Sequence, residues 1–190
     1  MTVVWIVVVV LVAVALVLMA AGLLEVYVQL EQVRTVLRLQ DEPTPVHLAS
    51  LGGALDELQP DPPDVVGRVT AGARTAYVLV LSSSCAVCQV IGAGLGTGAD
   101  GFGGTLAVLV AAENEQAGRA FMRRAELPPG LAAVDPLGRA AKQLGIEASP
   151  TVVSLVDGRL RSAATLSSFR QLRLFWEQQQ GELAGSGQYS

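Results

Sequence analysis

Cys85 and Cys88 are the only cysteines of the chain, and they lie three residues apart just behind an apolar run, Tyr77-Val78-Leu79-Val80-Leu81. With a single histidine, His47, far upstream, these cysteines and that histidine cannot alone supply four ligands to a structural zinc ion. A disulfide scaffold is excluded too, because closing so short a loop removes little chain entropy. What remains is a redox pair presented at the end of a strand. If a helix starts after Cys85, that thiol faces unpaired N–H groups and the positive end of the helix dipole. Both favour the thiolate, the form that attacks disulfides. Cys85 is then the expected exposed nucleophile, and Cys88, one turn further in, the more buried resolving thiol. From spacing alone, half of an intermolecular metal site and an inert buried pair stay open as alternatives.

The 190 residues have room for one domain and some extras. The net charge is −4 and the basic residues are scattered, so no nucleic-acid partner is expected. The positive mean hydropathy comes largely from Thr2–Leu24, which carries no charged residue. As a helix this run spans roughly 34 Å at 1.5 Å per residue, enough for a hydrocarbon core of about 30 Å. Trp5 and Tyr27 stand where an interfacial aromatic belt would place them. A cleaved signal peptide fits less well. No Lys or Arg precedes the run, the run is too long, and Ala20-Ala21-Gly22 is a weak cleavage site. The expectation is a single-pass anchor over 1–24 in a cell membrane. Arg34 and Arg38 after the run point to a cytoplasmic globular part. An exposed dithiol points the other way, to an extracytoplasmic, disulfide-permissive compartment, and this is the side expected here.

Residues 25–62 read as a juxtamembrane helix and a Pro-rich linker. Val26, Leu30, Val33 and Leu37 keep helical spacing, and Asp41-Glu42-Pro43-Thr44-Pro45 ends it. Gln59-Pro60-Asp61-Pro62-Pro63 marks the start of the globular part, taken as 63–180, and His47 between the breaks reads as a solvated side chain. Val65–Val69, Tyr77–Leu81, Leu106–Val110 and Ala132–Val134 read as strands, and Asn114–Glu126 as a helix. Asp135-Pro136 reads as an N-cap with proline at N1, and Gly145 as the residue ending that helix. Asp157-Gly158 between Val152–Val156 and Leu160–Ala163 signals a hairpin. Ser168 is placed to cap a last helix with Phe169, Leu172, Phe175 and Trp176 on one face. Residues 181–190, rich in Gly, Ser and Gln, read as a disordered tail. The order implies an α/β domain with a central mixed sheet and helices on both faces.

The segment Leu144-Gly145-Ile146-Glu147-Ala148-Ser149-Pro150-Thr151-Val152-Val153-Ser154-Leu155-Val156-Asp157-Gly158 resembles the cis-proline region of thioredoxins. With Cys85-Ala86-Val87-Cys88 it gives both halves of the thioredoxin signature in order. Leu106–Val110 followed by a helix and Val134-Asp135 is similar to the extra strand and helix of the TlpA/ResA branch, which is commonly tethered by one N-terminal helix. MauD-type maturation proteins share the layout. The resemblance spans roughly Asp64–Gln180 and implies a thioredoxin-like fold with Pro150 as the cis-proline facing the dithiol. Ser149 would pair with a substrate chain, with Thr151, Ala86 and Val87 beside it. It also implies protein thiols or disulfides as partners, a transmembrane electron donor, and no cofactor or metal. The chain departs from the pattern at Ser84, where tryptophan is usual, and at about Leu79, where thioredoxins carry a buried acid.

Gly96-Thr97-Gly98-Ala99-Asp100-Gly101 matches a dinucleotide-binding pattern but follows no strand, and is discounted. The glycines of Gly92–Gly104 are expected to end the active-site helix early and form a loop. Arg119, Arg123 and Arg124 read as a solvated helix face. Two function classes follow. One is a membrane-tethered thiol–disulfide oxidoreductase acting on exported proteins; the other is a thioredoxin-fold binding or assembly factor that uses no turnover. Copper delivery is weaker, since no histidine occurs between Asp64 and Ser190.

Overall fold

Strand β2 (Thr75–Ser82) alternates its side chains between two dry faces. Tyr77, Leu79 and Leu81 enter one apolar cluster, and Ala76, Val78 and Val80 the other. Strand β3 (Leu106–Ala112) does the same, Leu106, Val108 and Val110 on one side and Ala107 and Leu109 on the other. A strand buried on both faces needs a continuous apolar run and a covering layer on each side. The computed structural model, which describes residues 42–58 and 63–186 besides Trp5 and Met19, has that layering.

The chain divides into two units, Met1–Gln40 and Asp41–Ser190. The anchor expected over 1–24 and the helix expected over 25–40 lie outside the described residues. Among the described residues no helix is long and apolar enough to cross a membrane. In the second unit the strands are β1 (Thr44–Pro45), β2, β3, β4 (Ala132–Pro136), β5 (Thr151–Val156) and β6 (Arg159–Thr165). They form one sheet in the order β1-β6-β5-β2-β3-β4. β2, β3 and β4 run parallel, whereas β5 is antiparallel to β2, and β6 and β1 are added antiparallel at that edge. The helices are α1 (Leu55–Leu58), α2 (Asp64–Gly72), α3 (Ala86–Gly98), α4 (Glu115–Arg124), α5 (Arg139–Gln143) and α6 (Phe169–Ser186). Residues of α3, α4 and α6 fill the cluster on one face of the sheet, and residues of α1, α2 and α5 fill the other. The mixed sheet with helices on both faces matches the thioredoxin-like fold expected from the sequence.

Several local expectations hold in detail. Asn114 caps α4, its side-chain oxygen accepting from the Ala117 N–H at 2.9 Å. Asp157 and Gly158 both take positive φ, 50° and 72°, as a tight hairpin turn requires. Ser168 Oγ accepts from the Gln171 N–H at the start of α6. Gly145, with φ 74°, follows the end of α5. His47 is exposed.

Five expectations need correction, four of element type or extent and the fifth at the glycines of 92–104. Val65–Val69 is part of helix α2 and no strand. Val65 and Val66 are buried, Val69 packs partly behind them, and this i, i+1, i+4 face outweighs the β preference of valine. Thr44–Leu58, placed in the linker, belongs to the domain: Thr44 and Pro45 pair with Thr165 and Ala164, while Leu48 and Leu55 are buried in the core. Proline is tolerated there because β1 is an edge strand. Asp135 and Pro136 finish β4, and α5 starts only at Arg139. The Asp135 carboxylate still caps it from a distance, accepting from the Ala140 and Ala141 N–H groups at 3.0 Å each. Helix α6 runs to Ser186, six residues past the expected end of the domain at 180.

The glycines of 92–104 give the largest difference. The active-site helix does not stop early; α3 continues to Gly98 and a 3₁₀ turn follows over Ala99–Phe102. Its glycines are contact points. A Cβ on Gly92 would lie 3.0 Å from Ala125 Cβ, one on Gly94 2.7 Å from Phe169 Cγ, and one on Gly96 2.6 Å from the Ala125 carbonyl oxygen. Side chains at these positions would push α3 away from the residue after α4 and the first residue of α6. Gly96→Ala should therefore destabilise the domain by about 1–3 kcal/mol, because its neighbour is backbone and cannot rotate aside. Gly67→Ala in α2, where no atom lies within 4 Å of the added methyl, should stabilise by about 0.5–1 kcal/mol. Urea denaturation of the two variants checks the contrast, and equal shifts would contradict the close packing.

Candidate active site

Strand β2 ends at Ser82, and three residues later the backbone reaches Cys85, the N-cap of α3, with φ −90° and ψ 123°. The Cys85 N–H donates to the Ser82 carbonyl at 3.2 Å, and its own carbonyl accepts from the Gln89 N–H at 3.2 Å. Its Sγ takes the role a serine oxygen usually has at an N-cap: it accepts from the Cys88 N–H at 3.3 Å. The expected helix tip is thus present, with a helix N–H directed at the sulfur. Cys85 is half-buried, whereas Cys88 is fully buried in the cluster that holds Leu79, Ile91 and Phe121. Ala86 and Val87 are exposed beside them.

The second half of the site comes from 64 residues further on. The Ser149–Pro150 peptide is cis, as expected, and the Cys85 thiol lies 3.9 Å from the Ser149 carbonyl oxygen in donor geometry. The Pro150 carbonyl is held by the Leu166 N–H at 3.1 Å. Cys85, Cys88, Ser149 and Pro150 are therefore brought together. Thr151 is not on the surface with them. It is buried at the start of β5, and its hydroxyl donates to the Ala148 carbonyl at 2.8 Å, so it shapes the loop from beneath.

Burial sets the electrostatics of the inner thiol. Desolvation first, and then the hydrogen bond to Cys85, push the Cys88 thiol up from its ordinary 9.0 to about 12; the negative charge of Cys85 adds to this, and Ser82 and Ser149 act in the lowering direction. Leu79, at the place of the thioredoxin acid, is fully buried and apolar. No carboxylate is among the causes acting on Cys88.

Beyond Ser149 the surface opens into a groove of about 760 Å³. The Ser82–Ser84 run forms one wall, and Glu113, Leu137, Lys142 and Glu147 are among its other lining residues. None of these was singled out as a site residue from the sequence. They come from separate segments, and only the fold brings them to one place. The turn at Asp135–Gly138 gives no signal for Leu137, because in the sequence it reads as a helix start.

No protein-family model matches the chain, and no curated protein matches it. Solved structures similar to it include Mycobacterium tuberculosis DsbF in its mixed oxidized and reduced forms, at 15% identity and a TM-score of 0.46 over 55% of this chain and 79% of that one. A secreted Mycobacterium tuberculosis disulfide oxidoreductase homologous to Escherichia coli DsbE gives 15% identity and a TM-score of 0.45, covering 55% and 81%. A putative thiol:disulfide interchange protein DsbE from Chlorobium tepidum gives 18% and 0.44, covering 60% and 80%. At these identities and scores the fold assignment rests on the strand order and burial described above.

A thiol is neutral when protonated, so a raised pKa means that the folded protein keeps the Cys88 proton after an unfolded chain would release it. Its contribution to stability is fully present below pH 9 and is lost as pH rises toward about 12. The reduced protein should lose stability across that window more steeply than a Cys88→Ala variant, as followed by denaturant melts at each pH. Replacing Cys85 by alanine removes two of the raising influences. The thiolate absorbance of Cys88 should then appear at lower pH than in the parent; an unchanged midpoint would contradict the coupling.

Proposed function

We propose that the domain exchanges thiols and disulfides with partner proteins through Cys85 and Cys88. One observation carries the reading: a half-exposed sulfur at the tip of α3 accepts the Cys88 N–H, while the second sulfur waits fully buried one turn behind it. The N–H is directed at the atom that carries negative charge during attack.

In the reducing direction the Cys85 thiolate attacks one sulfur of a substrate disulfide. The substrate S–S bond breaks, a Cys85–substrate disulfide forms, and the departing substrate thiolate takes a proton. Cys88, having lost its proton, then attacks Cys85 Sγ, the mixed disulfide breaks, and the second substrate thiol leaves. Two electrons pass to the substrate and a Cys85–Cys88 disulfide remains. Run backwards, the same steps oxidise a substrate dithiol. The high pKa of Cys88 suits this order. While Cys85 is a free thiolate, its charge helps hold the proton on Cys88. Once Cys85 is bonded to substrate that charge is gone, so Cys88 is easier to ionise in the state that requires its attack.

Tethering by the uncharged run 2–24 and placement on the extracytoplasmic face belong to the same proposal. They are supported by the length of that run and by the need of an exposed dithiol for a disulfide-permissive compartment. A transmembrane dithiol donor would then restore the reduced pair. TlpA/ResA-like or MauD-type chemistry is the subtype this layout suggests.

The purified protein should reduce insulin with dithiothreitol as donor. Cys85→Ser should bring the rate to background, and Cys88→Ser should accumulate mixed disulfides visible on non-reducing gels. Absence of turnover by the parent protein toward every dithiol and disulfide offered would sink the proposal in favour of a non-catalytic binding role. So would an unchanged cellular phenotype in a Cys85/Cys88 double variant.

A further inference from the structure

Leu137 stands out in the turn between β4 and α5. It has φ 61° and is followed by Gly138 with φ 62°, so two successive residues are left-handed. For a leucine this conformation costs about 1–2 kcal/mol relative to the right-handed one. The turn itself is fixed by backbone bonds: the Leu137 N–H donates to the Ala112 carbonyl at 2.7 Å and the Gly138 N–H to the Asp135 carbonyl at 3.1 Å. Glycine or asparagine would make the same turn with less strain. Burial does not repay the strain, because Leu137 is 60% exposed. A strained residue with an exposed apolar side chain calls for a use of that side chain.

The side chain lines the groove described above, which runs continuously to Ser149 and Ser84 beside Cys85. The groove is lined by small apolar groups, Ala111, Ala112, Ala117, Ala141 and Ala148. Charges are present in Glu113, Glu147 and Lys142. Val80 and Ile146 also line it but are buried, and Ser82–Ser84 and Ser149 add hydroxyls, so Leu137 is its one large apolar side chain that is exposed. Small walls beside an exposed leucine suit a bulky apolar side chain better than a charged one, which would lose hydration against alanine methyl groups.

We infer that Leu137 is a specificity-determining residue of the exchange site. It receives a bulky apolar side chain that neighbours the reacting cysteine of the substrate polypeptide. The inference rests on the proposed exchange chemistry and adds to it a substrate class: extended segments with an aromatic or large aliphatic residue beside the cysteine. Leu137 touches the flanking side chain and not the sulfurs.

Two disulfide peptides, one with phenylalanine and one with asparagine next to the cysteine, and a small disulfide such as hydroxyethyl disulfide separate the roles. The parent protein should prefer the phenylalanine peptide. Leu137→Asn and Leu137→Gly should lower kcat/KM for it roughly ten-fold, through KM, which corresponds to loss of about 1.4 kcal/mol of apolar contact. Both should leave the small disulfide unaffected and the melting temperature equal or higher. Leu137→Met should keep the preference. An unchanged kcat/KM for the phenylalanine peptide in both variants would overturn the inference, as would an equal loss toward the small disulfide. Anisotropy with the phenylalanine peptide carrying serine in place of cysteine reads the groove apart from turnover. If that peptide binds in a Leu137-dependent way while no disulfide is exchanged, the groove assignment stands and the exchange reading falls.

Discussion

Helix α3 can bring its two sulfurs to the edge of the sheet only because its packed faces come close to their neighbours. Cys88, Ile91 and Leu95 are fully buried against the sheet side of the helix. Gly94 and Gly96 meet Phe169 and Ala125 at distances that leave no room for a methyl group, and at Gly92 a methyl group would be tight against Ala125. The helix is thus clamped between the end of α4 and the start of α6, and its N-terminus is fixed where Cys85 can reach the Ser149 carbonyl. A helix displaced by one side-chain layer would carry the thiols away from that loop. The glycines cost helix propensity, since each is less favourable than alanine by about 1 kcal/mol in a helix interior. Close packing in a dense interior offsets that cost.

The same clamp sets the electrostatics. Cys88 is sealed in an apolar cluster with Leu79 where thioredoxins carry an acid, so its proton is held by desolvation and by its neighbour Cys85. The outer thiol faces solvent, the Cys88 N–H and the peptide before Pro150. The two sulfurs of one short motif therefore have opposite surroundings, and the proposed division into attacking and resolving thiols rests on that difference in depth together with the N–H directed at Cys85. The groove adds a third surrounding, made of alanine and serine walls, three charged residues and one exposed leucine.

Those parts of the domain with a strict local period were legible in the sequence. The runs at Tyr77–Leu81 and Leu106–Val110 read as strands, and Asp157-Gly158 as a hairpin turn. The dithiol and Ser149-Pro150 were legible because each has its own short pattern. Where a residue's meaning came from its neighbour in space, the reading failed. Val65–Val69 looks like a strand until a sheet face is present for Val65 and Val66 to bury against. The glycines after Gly92 look like a loop until Phe169 and Ala125 are placed beside them. Thr44 and Pro45 look like linker until Thr165 and Ala164 offer an edge. Thr151 looked like a surface residue, yet its hydroxyl turns inward to Ala148. Leu137 gave no signal, since its conformation is set by a turn that the pattern of Asp135-Pro136 disguised as a helix start.

The account stands on the two sulfurs forming one reversible redox unit. Equilibrating the purified protein in dithiothreitol buffers of graded poise, then trapping and counting free thiols by mass spectrometry, tests this directly. The account predicts a single two-electron transition in which Cys85 and Cys88 are lost together into an intramolecular disulfide of a monomer. Independent oxidation of the two thiols, or oxidation only into disulfides between chains, would contradict it.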